Sequence, residues 1–494
     1  MHSSAKHEGP FGVSPPLALA VGLGVLLVVR LVALAWNATD LFFDEAQYWS
    51  WSREPSFGYY SKPPLIAWII AVATSVCGDG EACIRLPAPL IHTATAVIVY
   101  LIGARLHGRA VGAWAGLGFA TLPGISLSAG IISTDVPLLF CWALALWALI
   151  AMRHGDGWYP PVVLGIALGL GLNAKYAMAF FVGCLAVYLV VTPEARRLLM
   201  DIRLWVALAV GGLAIAPNLA WNYAHSFATF AHTADNANWG GRLVNVGKGF
   251  EFVAAQAIVF GPILLAALAA TVHRAWRDGL PEGDRLLLAF TLPVLAVITA
   301  QAFVSRAHAN WAAVSYVAGV VLVTSTLLRL DAARWLRASL ALHVAIMALL
   351  VAGTTFAGRF TVPLAGDPFQ RTLGWRGLAD VAAVALKKAR DEGRPFRAIM
   401  ADDRSITASL LYYLRRDPTP VVAWRDAGRP KDHYELTRPL RDPAQAPVLL
   451  ISIRRDASAI TGRFTTVEKL DESAIAAGLG EARRVRFYAL SGLQ

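Results

Sequence analysis

The chain has 494 residues, 56% of them hydrophobic and only 16% charged, with a mean hydropathy of +0.53. Soluble domains carry about a quarter charged residues, so this composition excludes a soluble globular protein and indicates an integral membrane protein. The net charge of +11 does not indicate nucleic acid. The basic residues fall mostly in short loops between apolar runs, and no arginine-rich tail, zinc-finger spacing or RNA-binding signature accompanies them.

Residues 1–16 form a short N-terminal segment, and Leu17 to Trp36 is an apolar run of the length that spans a bilayer, with no small-residue cleavage site behind it. It is predicted to be the first transmembrane helix. A loop over 37–87 follows. Its stretch from Phe42 to Leu65 reads FFDEAQYWSWSREPSFGYYSKPPL and gathers carboxylates, aromatics and a lysine beside a membrane. Such groups are costly to keep there for packing alone, which makes this stretch the first place to look for chemistry. Pro63 to Val76 is apolar but short for a span, and suits an interfacial or re-entrant helix with its prolines at the first helical positions. Further spans are predicted near 88–106, 110–128, 136–152, 161–174, 176–191, 204–221, 251–272, 286–303, 311–329 and 337–357, about eleven with the first.

Charge sets the orientation. Arg105, Arg109, Arg153, Arg196, Arg197, Arg203, Arg274, Arg277, Arg285, Arg329, Arg334 and Arg337 fall on one side. The other side holds fewer, chiefly Arg53, Lys62, Arg85, Lys175, Arg242, Lys248 and Arg306. The positive-inside rule then puts residues 1–16 in the cytoplasm and the 37–87 loop outside, with the tail outside as well.

That tail, 367–494, changes character. Trp375 to Glu392 and Ile406 to Leu414 read as helices, and Arg397 to Ala401, Thr419 to Trp424, Pro447 to Ile453, Phe464 to Leu470 and Val485 to Leu490 as strands. Alternating strands and helices indicate a small α/β domain. Four cysteines are few. Cys141 and Cys184 lie in apolar runs as buried fillers, while Cys77 and Cys83 flank a loop outside the cytoplasm, where a disulfide or two unpaired thiols fit the spacing alike.

Asp44 and Glu45 lead the candidate site. A carboxylate at a membrane surface serves as general base toward a hydroxyl or as ligand to a hard cation, and equally as a helix cap. Lys62, stiffened by Pro63 and Pro64, suits a phosphate, although interfacial lysines also snorkel. Tyr59 and Tyr60 offer hydroxyl donors or a face for a sugar. Asp135, in STDVP, lies at the outer end of a span, where Ser133 or Thr134 would be the plain cap. Arg85, Lys175, Arg306 and His308 complete a set of outer-side cations, each alone explicable as a topology residue. Asn218, Trp221, Asn222 and Trp239 could line an acceptor cleft or sit as interfacial side chains. Asp402-Asp403-Arg404 directly follows a strand, where sites and helix caps both occur. No glycine-rich phosphate loop, HExxH or Gly-x-Ser-x-Gly appears, so ATP-driven transport and zinc proteolysis have no support.

The ordered set of an Asp-Glu pair in the first outer loop, YYSKPPL, IRLPAPL, STDVPL, GLGLNAKYAM and PNLAWN resembles the protein O-mannosyltransferase-like glycosyltransferases over roughly residues 17–320. These are membrane enzymes of the GT-C fold that include bacterial aminoarabinose and galacturonic acid transferases acting on lipid A or lipopolysaccharide core. The resemblance implies a transmembrane GT-C catalytic domain over 17–360 with a periplasmic α/β domain over 367–494, in the bacterial inner membrane. It implies an inverting transferase that takes a sugar from a polyprenyl-phosphate donor to a cell-envelope lipid or glycan on the periplasmic face. Asp44 would be the general base, Glu45 and Asp135 would shape an acidic pocket, and Lys62 with Tyr59 would hold the donor phosphate. In the aminoarabinose transferases a glutamate that can join a metal site typically precedes Lys-Pro-Pro; Ser61 stands there instead, and is a poor ligand for a divalent cation. With one acid fewer, the site would also repel an acidic sugar less. No cofactor follows with certainty; a divalent metal held by Glu45 and Asp135 is the candidate. The expected partners are the lipid-linked sugar, the acceptor and membrane lipids, not nucleic acid, for a chain acting as a monomer. A protein O-mannosyltransferase and a lipid-linked sugar flippase are the alternatives. The second lacks the paired halves and midplane charges of transporters.

Overall fold

A computed structural model describes residues 12–240, 243–363 and 366–494. Most of the N-terminal segment over 1–16, and the outer-loop Arg242, lie outside the described residues. The chain divides into two compact units. One comprises residues 1–35, 62–66 and 85–351; the other comprises 36–61, 67–84 and 352–494.

The first unit is helical. Pro15–Ala35 buries Leu19, Leu23 and Leu26 on one side, yet leaves Val21, Val25 and Val28 more than half exposed on the other. A helix apolar all round belongs in lipid or in a large core. Six helices among the described residues are long and apolar enough to cross a membrane, and a seventh crossing arises if one bent pair counts as a single span. The protein is a multi-pass membrane protein.

The apolar runs in the sequence suggest about eleven spans, and several of those runs are bent, broken or short as helices. The 251–272 segment is two helices, Val246–Phe260 and Pro262–Asp278, bent by 110°. Gly261 sits at φ +89°, and Pro262 has no N–H to carry the hydrogen-bond ladder onward. The 110–128 segment likewise breaks into Arg109–Thr121 and Pro123–Ser128. Tyr159–Ala174, Tyr176–Val191 and Ser315–Arg329 are apolar but too short to pass as spans by length. Close packing compensates in the bundle: a Cβ on Gly112 would lie 2.6 Å from the Tyr100 carbonyl oxygen, so only glycine lets Pro87–His107 and Arg109–Thr121 approach this closely.

The second unit is built on a five-stranded sheet. Strands β1 (Ala398–Ala401), β2 (Val421–Ala423), β3 (Val448–Ser452), β4 (Phe464–Ile475) and β5 (Arg483–Leu493) run in the order β2-β1-β3-β5-β4. β1 is parallel to β2 and β3, whereas β5 is antiparallel to both β3 and β4. Helix Trp375–Asp391 lays Leu378, Ala379, Ala382 and Leu386 into the core with Ile399, Leu449 and Phe487. The strands expected in the tail form, with β4 and β5 longer than the apolar runs indicate.

Residues 36–61 and 67–84 are part of this same unit. Tyr413 donates its hydroxyl proton to Glu81 Oε1 (2.7 Å) and accepts from the Leu41 backbone N–H (2.8 Å). The Trp375 backbone N–H donates to Asp40 Oδ2 (2.9 Å), and the Tyr412 hydroxyl to the Asp79 carbonyl (2.8 Å). Cys77 and Cys83 are disulfide-bonded, with Cα atoms 5.8 Å apart, and close the turn that carries Asp79 and Glu81. The short apolar helix expected from Pro63 begins at Leu65 and ends at Cys77, so both prolines precede it instead of occupying its first turn.

Candidate active site

Helix Phe43–Arg53 opens with Asp44 and Glu45 in its first turn, and the two acids do different things. Glu45 is 1% exposed, and its Oε2 accepts from the Phe42 backbone N–H at 2.9 Å. That is the reciprocal bond of a capping box. The capping alternative is therefore seen in Glu45. Asp44 is not a cap. Its Oδ1 accepts from Arg404 Nη1 at 2.8 Å, while Oδ2 bonds to nothing among the described residues, and the side chain is 35% exposed. One oxygen is held and the other is open to a substrate.

The sequence places Arg404 only within the Asp402-Asp403-Arg404 triplet and gives it no role of its own. It begins helix Arg404–Tyr413, just past the C-terminal end of β1. Asp403, before it, caps that helix by accepting from the Ser405 N–H (2.8 Å), so the capping expectation for this triplet holds for the aspartate alone. The Arg404 Nη1 also donates to Gln47 Oε1 (3.1 Å), and Gln47 Nε2 reaches Ser61 Oγ (3.5 Å). The guanidinium lies over the Phe43 ring, 4.9 Å from its centroid. Burial works against its charge, but Asp44 beside it outweighs burial and holds the pKa above the ordinary arginine value.

Tyr59 and Tyr60 are committed within the unit. The Tyr59 ring stacks on Trp51 at 4.5 Å, and its hydroxyl donates toward the Trp51 and Glu54 carbonyls (2.9 and 3.1 Å) while accepting from the Ser56 N–H (3.2 Å). Burial pushes its phenol up to about 12. The Tyr60 hydroxyl donates to the Pro430 carbonyl at 2.7 Å. Both hydroxyls shape the loop, and neither has the open proton that phosphate binding expected of Tyr59 would need.

In the helical unit, Asp135 starts helix Asp135–Arg153, and Thr134 before it makes no side-chain cap. The carboxylate is claimed on both oxygens: Lys175 Nζ donates to Oδ1 at 2.7 Å and Asn310 Nδ2 to Oδ2 at 2.6 Å. Lys175 stands at the C-terminal end of Tyr159–Ala174, where a cation complements the helix dipole. Its ammonium bonds only to Asp135 among the described residues, which leaves two N–H donors available. Asp135 therefore acts as the holder of Lys175. Asn310 was missed, though it lies two residues from His308 in the same SRAHANW stretch.

Arg85 ends the short helix Glu81–Arg85 and is 2% exposed, and Lys62 precedes the two prolines. Arg306 is exposed, with no side-chain hydrogen bond among the described residues, and the His308 ring meets Trp311 edge-on at 5.4 Å. Asn218 and Asn222 are buried and bond to the Tyr176 hydroxyl at 2.7 and 3.1 Å, fastening the bundle there. Trp239 donates to Gln301 Oε1 at 2.8 Å. Among the described residues no group of three or more His, Cys, Asp or Glu side chains could hold a metal ion. With Glu45 capping a helix and Asp135 claimed twice, the residues present do not fit a resident divalent cation.

Residues 61–221 match the family model described as dolichyl-phosphate-mannose-protein mannosyltransferase. The chain is 38% identical over 424 residues to lipid A galacturonosyltransferase RgtD of Rhizobium johnstonii, covering 86% of this chain and 88% of that one. It superposes on the structure of ArnT from Cupriavidus metallidurans in the apo state with a TM-score of 0.67 at 16% identity, covering 96% of this chain and 99% of ArnT. The same enzyme bound to undecaprenyl phosphate gives a TM-score of 0.61 at 17% identity, with the same coverage.

Proposed function

The chain belongs to the protein O-mannosyltransferase-like family of membrane glycosyltransferases with the GT-C fold, and on that basis we propose that it transfers galacturonic acid from a polyprenyl-phosphate donor to lipid A. The observation that carries the chemistry is Asp44, with Oδ1 fixed by Arg404 and Oδ2 open.

Asp44 Oδ2 takes the proton of an acceptor hydroxyl. The acceptor oxygen bonds to the anomeric carbon from the side opposite the phosphate, and the C–O bond to phosphate breaks with its electron pair staying on the polyprenyl phosphate. The configuration inverts. General-base help of this kind contributes about 10²–10⁴ in rate. Lys62 and Lys175 supply positive charge to the departing phosphate, and preplaced cations stabilise its growing charge more than the ground state. Arg85, Arg306 and His308 are further cations assigned to the lipid-linked donor. The asymmetry of basic loops supports a periplasmic reaction with residues 1–16 in the cytoplasm. The catalytic chain is a monomer.

The test is direct. Purified chain is incubated with lipid A and polyprenyl-phosphate galacturonic acid, and the lipid product is weighed by mass spectrometry. Addition of one hexuronic acid residue is the expected result; unmodified lipid A from an enzyme that is folded would refute the reading.

A further inference from the structure

Arg404 spends only one nitrogen on the protein. Its Nη1 is shared between Asp44 Oδ1 and Gln47 Oε1, whereas Nε and Nη2 bond to nothing among the described residues, and the side chain is 34% exposed. In a guanidinium the Nε–H and one Nη2–H point the same way. Together they form the planar fork that grips a carboxylate by two parallel hydrogen bonds. The fork is stiffly aimed, since one end is anchored on Helix Phe43–Arg53 and the plane rests over Phe43 at 4.9 Å.

We propose that the open Nε/Nη2 edge of Arg404 reads the carboxylate of the transferred sugar, and so makes this chain selective for a uronosyl over a neutral hexosyl donor. The inference rests on the transferase reading above and names what fixes the sugar in it. In a hexuronic acid the carboxylate hangs from C5, which is separated from the anomeric carbon by the ring oxygen alone. A sugar whose anomeric carbon is attacked by a hydroxyl on Asp44 Oδ2 brings that carboxylate near Asp44. Without Arg404, two like charges would meet there in a partly desolvated place, which disfavours binding. With it, Asp44 and the sugar carboxylate bracket one cation. A neutral hexose carries a hydroxymethyl group instead and gains far less from the fork. Ser61 agrees with this reading: it is joined to the cluster through Gln47 and adds no negative charge.

Arg404 is on this account a specificity-determining residue, distinct from the base. The experiment uses full-length chain with lipid A and two donors that differ only at C6, polyprenyl-phosphate galacturonic acid and polyprenyl-phosphate galactose. The ratio of kcat/KM for the two donors is compared for wild type, Arg404→Gln and Arg404→Lys. Arg404→Gln is expected to lower the uronosyl-to-hexosyl ratio roughly 10- to 100-fold, the scale of a charge-assisted pair, and Arg404→Lys to lower it less. Where turnover is too slow to measure, equilibrium binding of the two donors is compared, with the same shift expected. A fall in both activities by the same factor would show that Arg404 only positions Asp44, and an unchanged ratio in either variant series overturns the proposal while leaving the transferase reading intact. Wild-type chain that fails to use the uronosyl donor overturns both.

Discussion

Oδ1 of Asp44 accepts a hydrogen bond from Nη1 of Arg404 at 2.8 Å, between residues 360 apart in the chain. Gln47, one helical turn after Asp44, accepts from the same nitrogen. Two anchors therefore fix the guanidinium, and the guanidinium fixes the carboxylate. Gln47→Leu keeps the volume and removes the second anchor. It should lower kcat roughly tenfold with donor KM little changed, because small misplacement of a reacting group costs rate more than binding. Wild-type kcat in steady-state assays would take Gln47 out of the site.

Lys175 and Asp135 form a pair in which the acid serves the base. Lys175→Met should weaken donor binding roughly tenfold or more, as loss of a charge-assisted phosphate contact does. Asp135→Asn should weaken it in the same direction, since Lys175 loses its anchor. The double variant should be no worse than Lys175→Met alone. Additive losses in donor titrations would mean that Asp135 meets the substrate itself.

The Cys77–Cys83 bond closes a short loop whose Asp79 and Glu81 hold Tyr412 and Tyr413. Closing a loop of this size is worth about 2 kcal/mol by chain entropy. Cys83→Ser, or reduction of the wild type, should lower the melting temperature of detergent-solubilised chain, and the reductant should have no further effect on the variant. Equal melting with and without reductant would contradict this.

Asp417 accepts from Arg390 Nη2 at 2.5 and 2.6 Å. Burial alone would raise its pKa, but the Arg390 bonds, together with hydrogen bonds from Thr419, outweigh it and hold the carboxyl below the ordinary range. The folded value lies below the unfolded one, so the stabilisation is present above the unfolded carboxylate range and is lost as pH falls through it to the folded value. Asp417→Asn should therefore melt below wild type at neutral pH, with the gap closing under acid. A gap that stays constant with pH would show that the pair contributes nothing through titration.

Much of this was legible in the sequence because the relevant signals are local. Hydropathy located the membrane-spanning region, alternating apolar runs located each strand of the tail, and the stretch from Phe42 to Leu65 drew attention to Asp44 as a candidate. What stayed hidden depends on tertiary contact. Asp44 and Glu45 are adjacent carboxylates with the same local pattern, and only the fold makes one a helix cap and the other a group with an open oxygen. Arg404 is one of many arginines, and its place after a strand reads equally well as a capping motif until helix Phe43–Arg53 is seen packed on its helix. Tyr59 reads as a hydroxyl donor to the donor phosphate because its hydroxyl's partners, the carbonyls of Trp51 and Glu54, carry no side-chain signature. Breaks inside apolar runs stayed hidden for a related reason: one such as Gly261-Pro262 leaves the hydropathy profile unbroken while turning the chain by 110°.

The central claim is that Asp44 drives transfer of a uronic acid to lipid A, and the most direct test is the mass of lipid A from cells that lack this chain and carry either wild type or Asp44→Asn. The account predicts lipid A heavier by one hexuronic acid residue with wild type and unmodified lipid A with Asp44→Asn at equal membrane abundance. Full modification in the Asp44→Asn strain would contradict it.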